Sequence, residues 1–226
     1  ARGDRMASSK RKMSRRTAMT EIARGAGAVC LAGVSLVALV EATDRADARA
    51  LRPPGALPED DFLAACVRCG LCVQACPYHT LSLAEWGQEA AVGTPFFTPR
   101  DTPCYMCRDV PCARACPTGA LDRQIPSIRD ADMGVAVLVG HETCLNYKGM
   151  NCSICVRVCP IRGDAITLEP AEVDGRRILV PTVHSSHCTG CGTCEKHCVT
   201  GHASIRVLPR DLGLGGDGRN RAGRAT

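Results

Sequence analysis

The first apolar stretch of the chain, Gly25–Val40, is free of charge and sixteen residues long. It predicts a short N-terminal helix, below the ~20 residues needed to span a bilayer. Leu51–Asp61, broken by Pro53, Pro54 and Pro58, reads as a linker. Further along, Ala165-Ile166-Thr167-Leu168-Glu169, a turn at Asp174-Gly175 and Arg176–Val180 predict a β-hairpin. Thr118–Leu121 followed by the β-rich Gly134–Val139 predicts a second, and Ala203–Leu208 a closing strand. Trp86, Pro95-Phe96-Phe97 and Pro99 predict a loop that covers a site or meets a partner. The Gly- and Arg-rich tail after Pro209 has no apolar period and predicts disorder.

Cysteine spacing changes the picture. Cys66, Cys69, Cys72 and Cys76-Pro77 form C-x2-C-x2-C-x3-C-P, the run of a cubane iron–sulfur protein. Three thiolates in one tight turn grip one cluster, while the fourth, turned away before the proline, reaches another. Cys104, Cys107, Cys112 and Cys116-Pro117 follow as C-x2-C-x4-C-x3-C-P. Cys144, Cys152, Cys155 and Cys159-Pro160 form C-x7-C-x2-C-x3-C-P, and Cys188, Cys191, Cys194 and Cys198 repeat the first spacing with Val199 in place of proline. Sixteen of the seventeen cysteines thus fall into four sets of four, the ligand count for four [4Fe-4S] clusters. Cys30, inside the apolar run, is filler.

Other uses of these thiols fit less well. Structural zinc takes two separated C-x2-C pairs, whereas here four thiolates crowd into eleven residues; only Cys191, Cys194 and His197 suggest a mixed zinc site. Cysteines two apart in one turn cannot all form disulfides without strain. Rieske ligation needs two histidines in place of cysteines, and His79, His141, His184, His187, His197 and His202 lie near the motifs without replacing a ligand.

Composition agrees with a cofactor-built core. Aromatic residues make up 3% of the chain, with Trp86 the single tryptophan, so clusters supply what large side chains do not. The +5 formal charge belongs to residues 1–50, which carry ten Lys/Arg and five Asp/Glu; the remainder is balanced. No basic patch is left in the folded part for nucleic acid. No G-x-G-x-x-G run follows a strand, which argues against a flavin or nicotinamide domain. The chain carries no catalytic constellation and reads as an electron carrier rather than an enzyme.

Lys10-Arg11-Lys12 and Ser14-Arg15-Arg16 before the apolar run, with Ala48-Arg49-Ala50 after it, have the layout of an export signal. The arginine pair marks the Tat type, which carries proteins already folded, as clusters assembled in the cytoplasm require. Residues 1–50 are therefore a signal segment and 51–61 a linker, with a four-cluster region at 62–209 and a disordered tail at 210–226. The motifs occupy about 62–81, 100–121, 140–168 and 184–207.

Between successive motifs lie 27, 27 and 28 residues, an internal repeat. The expected fold is α+β: a duplicated bacterial-ferredoxin-like protein of two 2×[4Fe-4S] units, with small hairpins and short helices after the signal helix. Chain order pairs motif one with two and three with four. The hairpin expected between motifs two and three favours instead a nested arrangement, with that pair inside and motifs one and four outside.

The Tat segment and the four spacings in this order, with Asn146–Met150 inserted after Cys144, resemble the NapG/MauM family of ferredoxin-type proteins over residues 10–208. The resemblance implies a periplasmic electron carrier at the outer face of the cytoplasmic membrane. It would work beside a NapH-like membrane quinol dehydrogenase and feed a periplasmic c-type cytochrome or nitrate reductase components; MauM belongs to methylamine oxidation. Thr17-Ala18-Met19 depart from the bulky residue and lysine that usually continue the Tat motif. The rival readings are the cluster-bearing β-subunit of a molybdenum oxidoreductase and a maturation ferredoxin.

Overall fold

The computed structural model describes Met19, Gly33 and Val34 and residues 50–173 and 175–214. The chain divides into two units, 1–44 and 45–226. In the first, the three described residues are helical. The arginine pair, most of the apolar run, Cys30 and the tail beyond Leu214 lie outside the described residues. The second unit holds all sixteen motif cysteines.

Residues 51–58 are not a free linker. Arg52, 6% exposed, donates to Thr94 Oγ1 at 2.8 Å and to the carbonyl of Pro95 at 3.0 Å, and pairs with Glu59. Its guanidinium stacks 4.8 Å from the Phe62 ring centroid, and Phe62 is fully buried. This anchor precedes α1 (Glu59–Ala65), whose first turn carries Glu59, Asp60 and Asp61 where the helix dipole favours acids. The prolines signalled a break in regular structure, but the segment they break is packed.

Four helices of one turn follow: α2 (Leu71–Gln74), α3 (Pro111–Arg114), α4 (Ile154–Arg157) and α5 (Thr193–Lys196). A single turn has no stability of its own. Each holds the third cysteine of its motif (Cys72, Cys112, Cys155 and Cys194), with the fourth just beyond the helix. In three motifs the residue before the second cysteine is left-handed: Arg68 at φ 57°, Met106 at φ 54° and Gly190 at φ 74°. That turn brings the first two cysteines onto one side of the loop.

Three antiparallel strand pairs frame the motifs. β1 (Ser82–Leu83) pairs with β2 (Pro95–Phe96) between motifs one and two, where the sequence suggested only a loop. β4 (Ile166–Val173) and β5 (Arg176–Val183) form the expected hairpin between motifs three and four, from Ile166↔Val183 to Val173↔Arg176. β3 (Val135–Leu138) makes no hairpin with Thr118–Leu121. It pairs instead with β6 (Ile205–Leu208), so the chain before motif three closes on the chain after motif four. A reduced version of that closure occurs earlier, where Ala56 bridges Leu121 and Leu57 N–H donates to the Ala120 carbonyl at 3.1 Å. Each half therefore has a hairpin between its motifs and a strand closure around them. The repeat is two ferredoxin-like halves in sequence.

The fold runs past Pro209. Arg210, which opens α6 (Arg210–Gly213), holds Asp132 through bonds of 2.7 and 2.8 Å and donates to the carbonyls of Ser185 and Cys188, both at 2.8 Å. No helix among the described residues is long and apolar enough to cross a membrane.

Candidate iron–sulfur centres

Three apolar cavities of similar size mark where the cysteines converge. One, about 390 Å³ with its opening, is lined by Cys188, Cys191 and Cys194 of motif four and by Cys159 of motif three. A second, about 360 Å³, has Cys104, Cys107 and Cys112 of motif two with Cys76 of motif one. The third, about 380 Å³, has Cys144, Cys152 and Cys155 of motif three with Cys198 of motif four. Every cavity takes three cysteines from one motif and the last from its sequence neighbour. Cys66, Cys69, Cys72 and Cys116 remain as the fourth group, Cys116 by its equivalence to Cys198 in the repeat. In chain order, site I is Cys66, Cys69, Cys72 and Cys116, and site II is Cys104, Cys107, Cys112 and Cys76. Site III is Cys144, Cys152, Cys155 and Cys198, and site IV is Cys188, Cys191, Cys194 and Cys159.

This corrects the nested arrangement. Motif one exchanges its last cysteine with motif two, and three with four. The reason is the missing hairpin: β3 turns to β6, so it closes the second half and does not tie motif two to motif three.

The electrostatics of the thiols fit a cationic group. Burial pushes Cys104 and Cys112 up to about 12, and the charge of neighbouring cysteines adds to the effect. Cys72, Cys155 and Cys159 rise to about 11, again through burial first. Buried thiols of this kind become thiolates most readily when a cation such as iron offsets their charge. Backbone N–H groups also reach sulfur, from Thr80 to Cys76 Sγ and from Ala136 to Cys188 Sγ, both at 3.4 Å. Such bonds tune a cluster once it is bound.

Cys116 and Cys198 differ from the rest. Burial raises both, but hydrogen bonds outweigh it and hold both below the ordinary thiol range. Cys116 is served by the Leu121, Thr118 and Gly119 N–H groups and the Thr118 hydroxyl. Cys198 has the Thr200 hydroxyl at 3.1 Å, with the Thr200, Ser204 and Ile205 N–H groups. The matching threonines belong to a repeated Cys-x-Thr-Gly, a signal the cysteine spacing alone did not expose.

No histidine lines any of the three cavities. His197 Nδ1 lies 2.9 Å from the Thr193 carbonyl, and Cys191 and Cys194 face the cavity of site IV. His184 Nε2 is 2.8 Å from Thr167 Oγ1, and the His141 ring packs on Tyr147 with centroids 4.8 Å apart. Among the described residues no three His, Cys, Asp or Glu side chains converge closely enough to hold a single metal ion. The sulfurs are spread around larger cavities.

The chain matches the 4Fe-4S dicluster domain model twice, at residues 65–120 and 148–202. Each match falls inside one half as the strands define it, the second beginning after Cys144. Methylamine utilization ferredoxin-type protein MauM of Paracoccus denitrificans is 79% identical over 215 residues, 95% of this chain and 96% of its own length. The chain belongs to the NapG/MauM family of ferredoxin-type proteins. Another family member, MauM of Methylorubrum extorquens, is 73% identical over 94% of this chain and 96% of its own length. Ferredoxin-type protein NapG of Escherichia coli K12 is 51% identical, with 92% and 91% covered. No solved structure matches. As a NapG/MauM protein the chain is a ferredoxin-type iron–sulfur protein with duplicated dicluster halves.

The four sites form a row. Sites I and II adjoin because motifs one and two share them, and sites III and IV because motifs three and four do, with Cys198 in site III and Cys159 in site IV. Sites II and IV meet where the Cys104 N–H donates to the Cys191 carbonyl at 2.8 Å. Their order is I–II–IV–III. Cys69 of site I is the one exposed member among the sixteen.

Two basic residues missed in the sequence bind the halves together. Arg100, after β2, donates to the carbonyls of Glu195 at 2.7 Å, Cys198 at 2.9 Å and Thr200 at 3.0 Å. Lys196 returns the contact, donating to the Asp101 carbonyl at 2.6 Å.

Proposed function

We propose that the protein is a periplasmic electron relay holding four [4Fe-4S] clusters, one at each of sites I to IV, with the sixteen cysteines as ligands. The observation that carries this is the set of three cavities of 360–390 Å³, each walled by three cysteines of one motif and the last of its neighbour. A bound cluster supplies a one-electron couple. The protein's residues do the rest. They fix the sites in a row, exclude water with apolar walls, and donate N–H bonds to sulfur. No pocket, nucleophile or general base is needed for that work.

The row I–II–IV–III gives a path with two ends, suited to a protein that joins two redox partners. A NapH-like membrane quinol dehydrogenase and a periplasmic c-type cytochrome are the partners this reading assigns. Tat export, read from Arg15 and Arg16, places the protein at the outer face of the cytoplasmic membrane. Identity of 79% to MauM against 51% to NapG favours methylamine utilisation over nitrate reduction as the pathway.

Redox titration of the anaerobically purified protein tests the relay. Reversible reduction of the clusters in the range between quinol and c-type cytochromes is the expected result. Clusters that accept no electron without unfolding would make them structural, as a maturation factor requires.

A further inference from the structure

The relay reading leaves open what sets the potential at the end of the row, and one side chain bears on that. Arg100 comes from the first half, yet its guanidinium lies among backbone carbonyls of the second. It donates to Glu195, Cys198 and Thr200 at 2.7–3.0 Å, with longer contacts of 3.4 Å to Lys196 and Gly201. Cys198 is the motif-four member of site III. A full positive charge is therefore held one peptide unit from a candidate ligand.

No acid clasps it directly, although the Glu195 carboxylate lies near enough to feel its charge. Among the described residues no carboxylate forms an ion pair with Arg100. Glu195, whose carbonyl it binds, turns its carboxylate to the Val207 N–H at 2.6 Å and towards Arg206. Arg210 makes a useful contrast. It clasps the Cys188 carbonyl of site IV in the same way, but Asp132 neutralises it at 2.7 Å. Other cations near the motifs, Arg68 beside Cys69 and Arg108 beside Cys107, are exposed, so water screens them. Arg100 is half-buried and fixed by its carbonyls.

Reduction of a site by one electron adds one negative charge to it. A fixed cation nearby favours the reduced form and so raises the potential, more strongly where water is excluded. We propose that Arg100 is a positioning residue that sets the potential of site III, holding it high from across the junction between the halves so that electrons collect at that end. The inference rests on the relay reading: the electron comes from the donor that reading assigns, and only its resting place is new.

The test is an EPR-monitored redox titration of full-length holoprotein, wild type against Arg100→Gln, Arg100→Lys and the exposed control Arg123→Gln. Iron per chain is measured for each. In Arg100→Gln one cluster should become about tenfold harder to reduce, a fall of about 59 mV for one electron, while the others and the iron content hold. Arg100→Lys keeps the charge and should recover most of that shift, which a purely structural brace would not do. Arg123→Gln should leave every midpoint in place. Unchanged midpoints in Arg100→Gln, a lysine variant that behaves like glutamine, or iron loss in the glutamine variant would each overturn the proposal. If the wild type itself has no reducible cluster, the relay reading fails, a result distinct from unmoved midpoints.

Discussion

The backbone N–H of Cys104 donates to the carbonyl of Cys191 at 2.8 Å, joining motif two directly to motif four. This bond makes the two ferredoxin-like halves one row of sites, because Cys104 belongs to site II and Cys191 to site IV. A close backbone approach also seats the segment before β3 against motif four. Gly190 is left-handed at φ 74°, and a Cβ there would lie 2.6 Å from backbone atoms of Gly134.

Gly190→Ala should therefore strain the second half. Strain of about 1–3 kcal/mol is expected from a non-glycine residue in that conformation, with the clash in addition. For a chain of this size each kcal/mol lowers Tm by about 2–4 °C. Calorimetry should show that loss while iron content stays near wild type, since all four site IV cysteines are kept. An unchanged Tm would mean Gly134 and motif four do not approach as described.

The exchange of cysteines between neighbouring motifs can be counted in iron. Cys76 and Cys107 both belong to site II, so Cys76→Ala/Cys107→Ala should lose one cluster, about four irons per chain. Nested pairing would put Cys76 and Cys107 in different clusters, and the double variant would then lose about eight. Iron analysis of the double variant beside Cys107→Ala alone separates the two outcomes.

Those cysteines were legible because ligand spacing is written locally: four thiolates within 11 to 16 residues have few other uses. Pairing was not. Alternation in Val135–Leu138 announces a strand but does not name its partner, and the nearest candidate, Thr118–Leu121, was the wrong one. Pro53 and Pro54 announced a break without revealing that Arg52 pins the segment to Glu59 and Thr94. Arg100 left no trace, since its partners are main-chain carbonyls some 95 to 101 residues away and carry no side-chain code. The threonines beside Cys116 and Cys198 were readable in principle, through the repeated Cys-x-Thr-Gly.

Cys30 stands apart from the sixteen by sequence. Cys30→Ala should keep the full iron content, whereas Cys69→Ala, at the most exposed candidate ligand, should lose about four irons and destabilise the first half, because cofactor binding is folding energy. Iron loss in the Cys30 variant would show a ligand outside the four motifs.

Export follows from the arginine pair. Replacing Arg15 and Arg16 together by lysine should leave the protein in the cytoplasm with its clusters intact. Fractionation with iron analysis reads both parts of that claim. Arrival of the double-lysine form in the periplasm would show a different route.

Four cubanes on sixteen cysteines should show in metal and acid-labile sulfide analysis of the protein purified without oxygen. About sixteen irons and sixteen sulfides per chain are expected, with broad visible absorbance that bleaches on reduction. Zinc at a stoichiometric level with little iron would contradict that assignment.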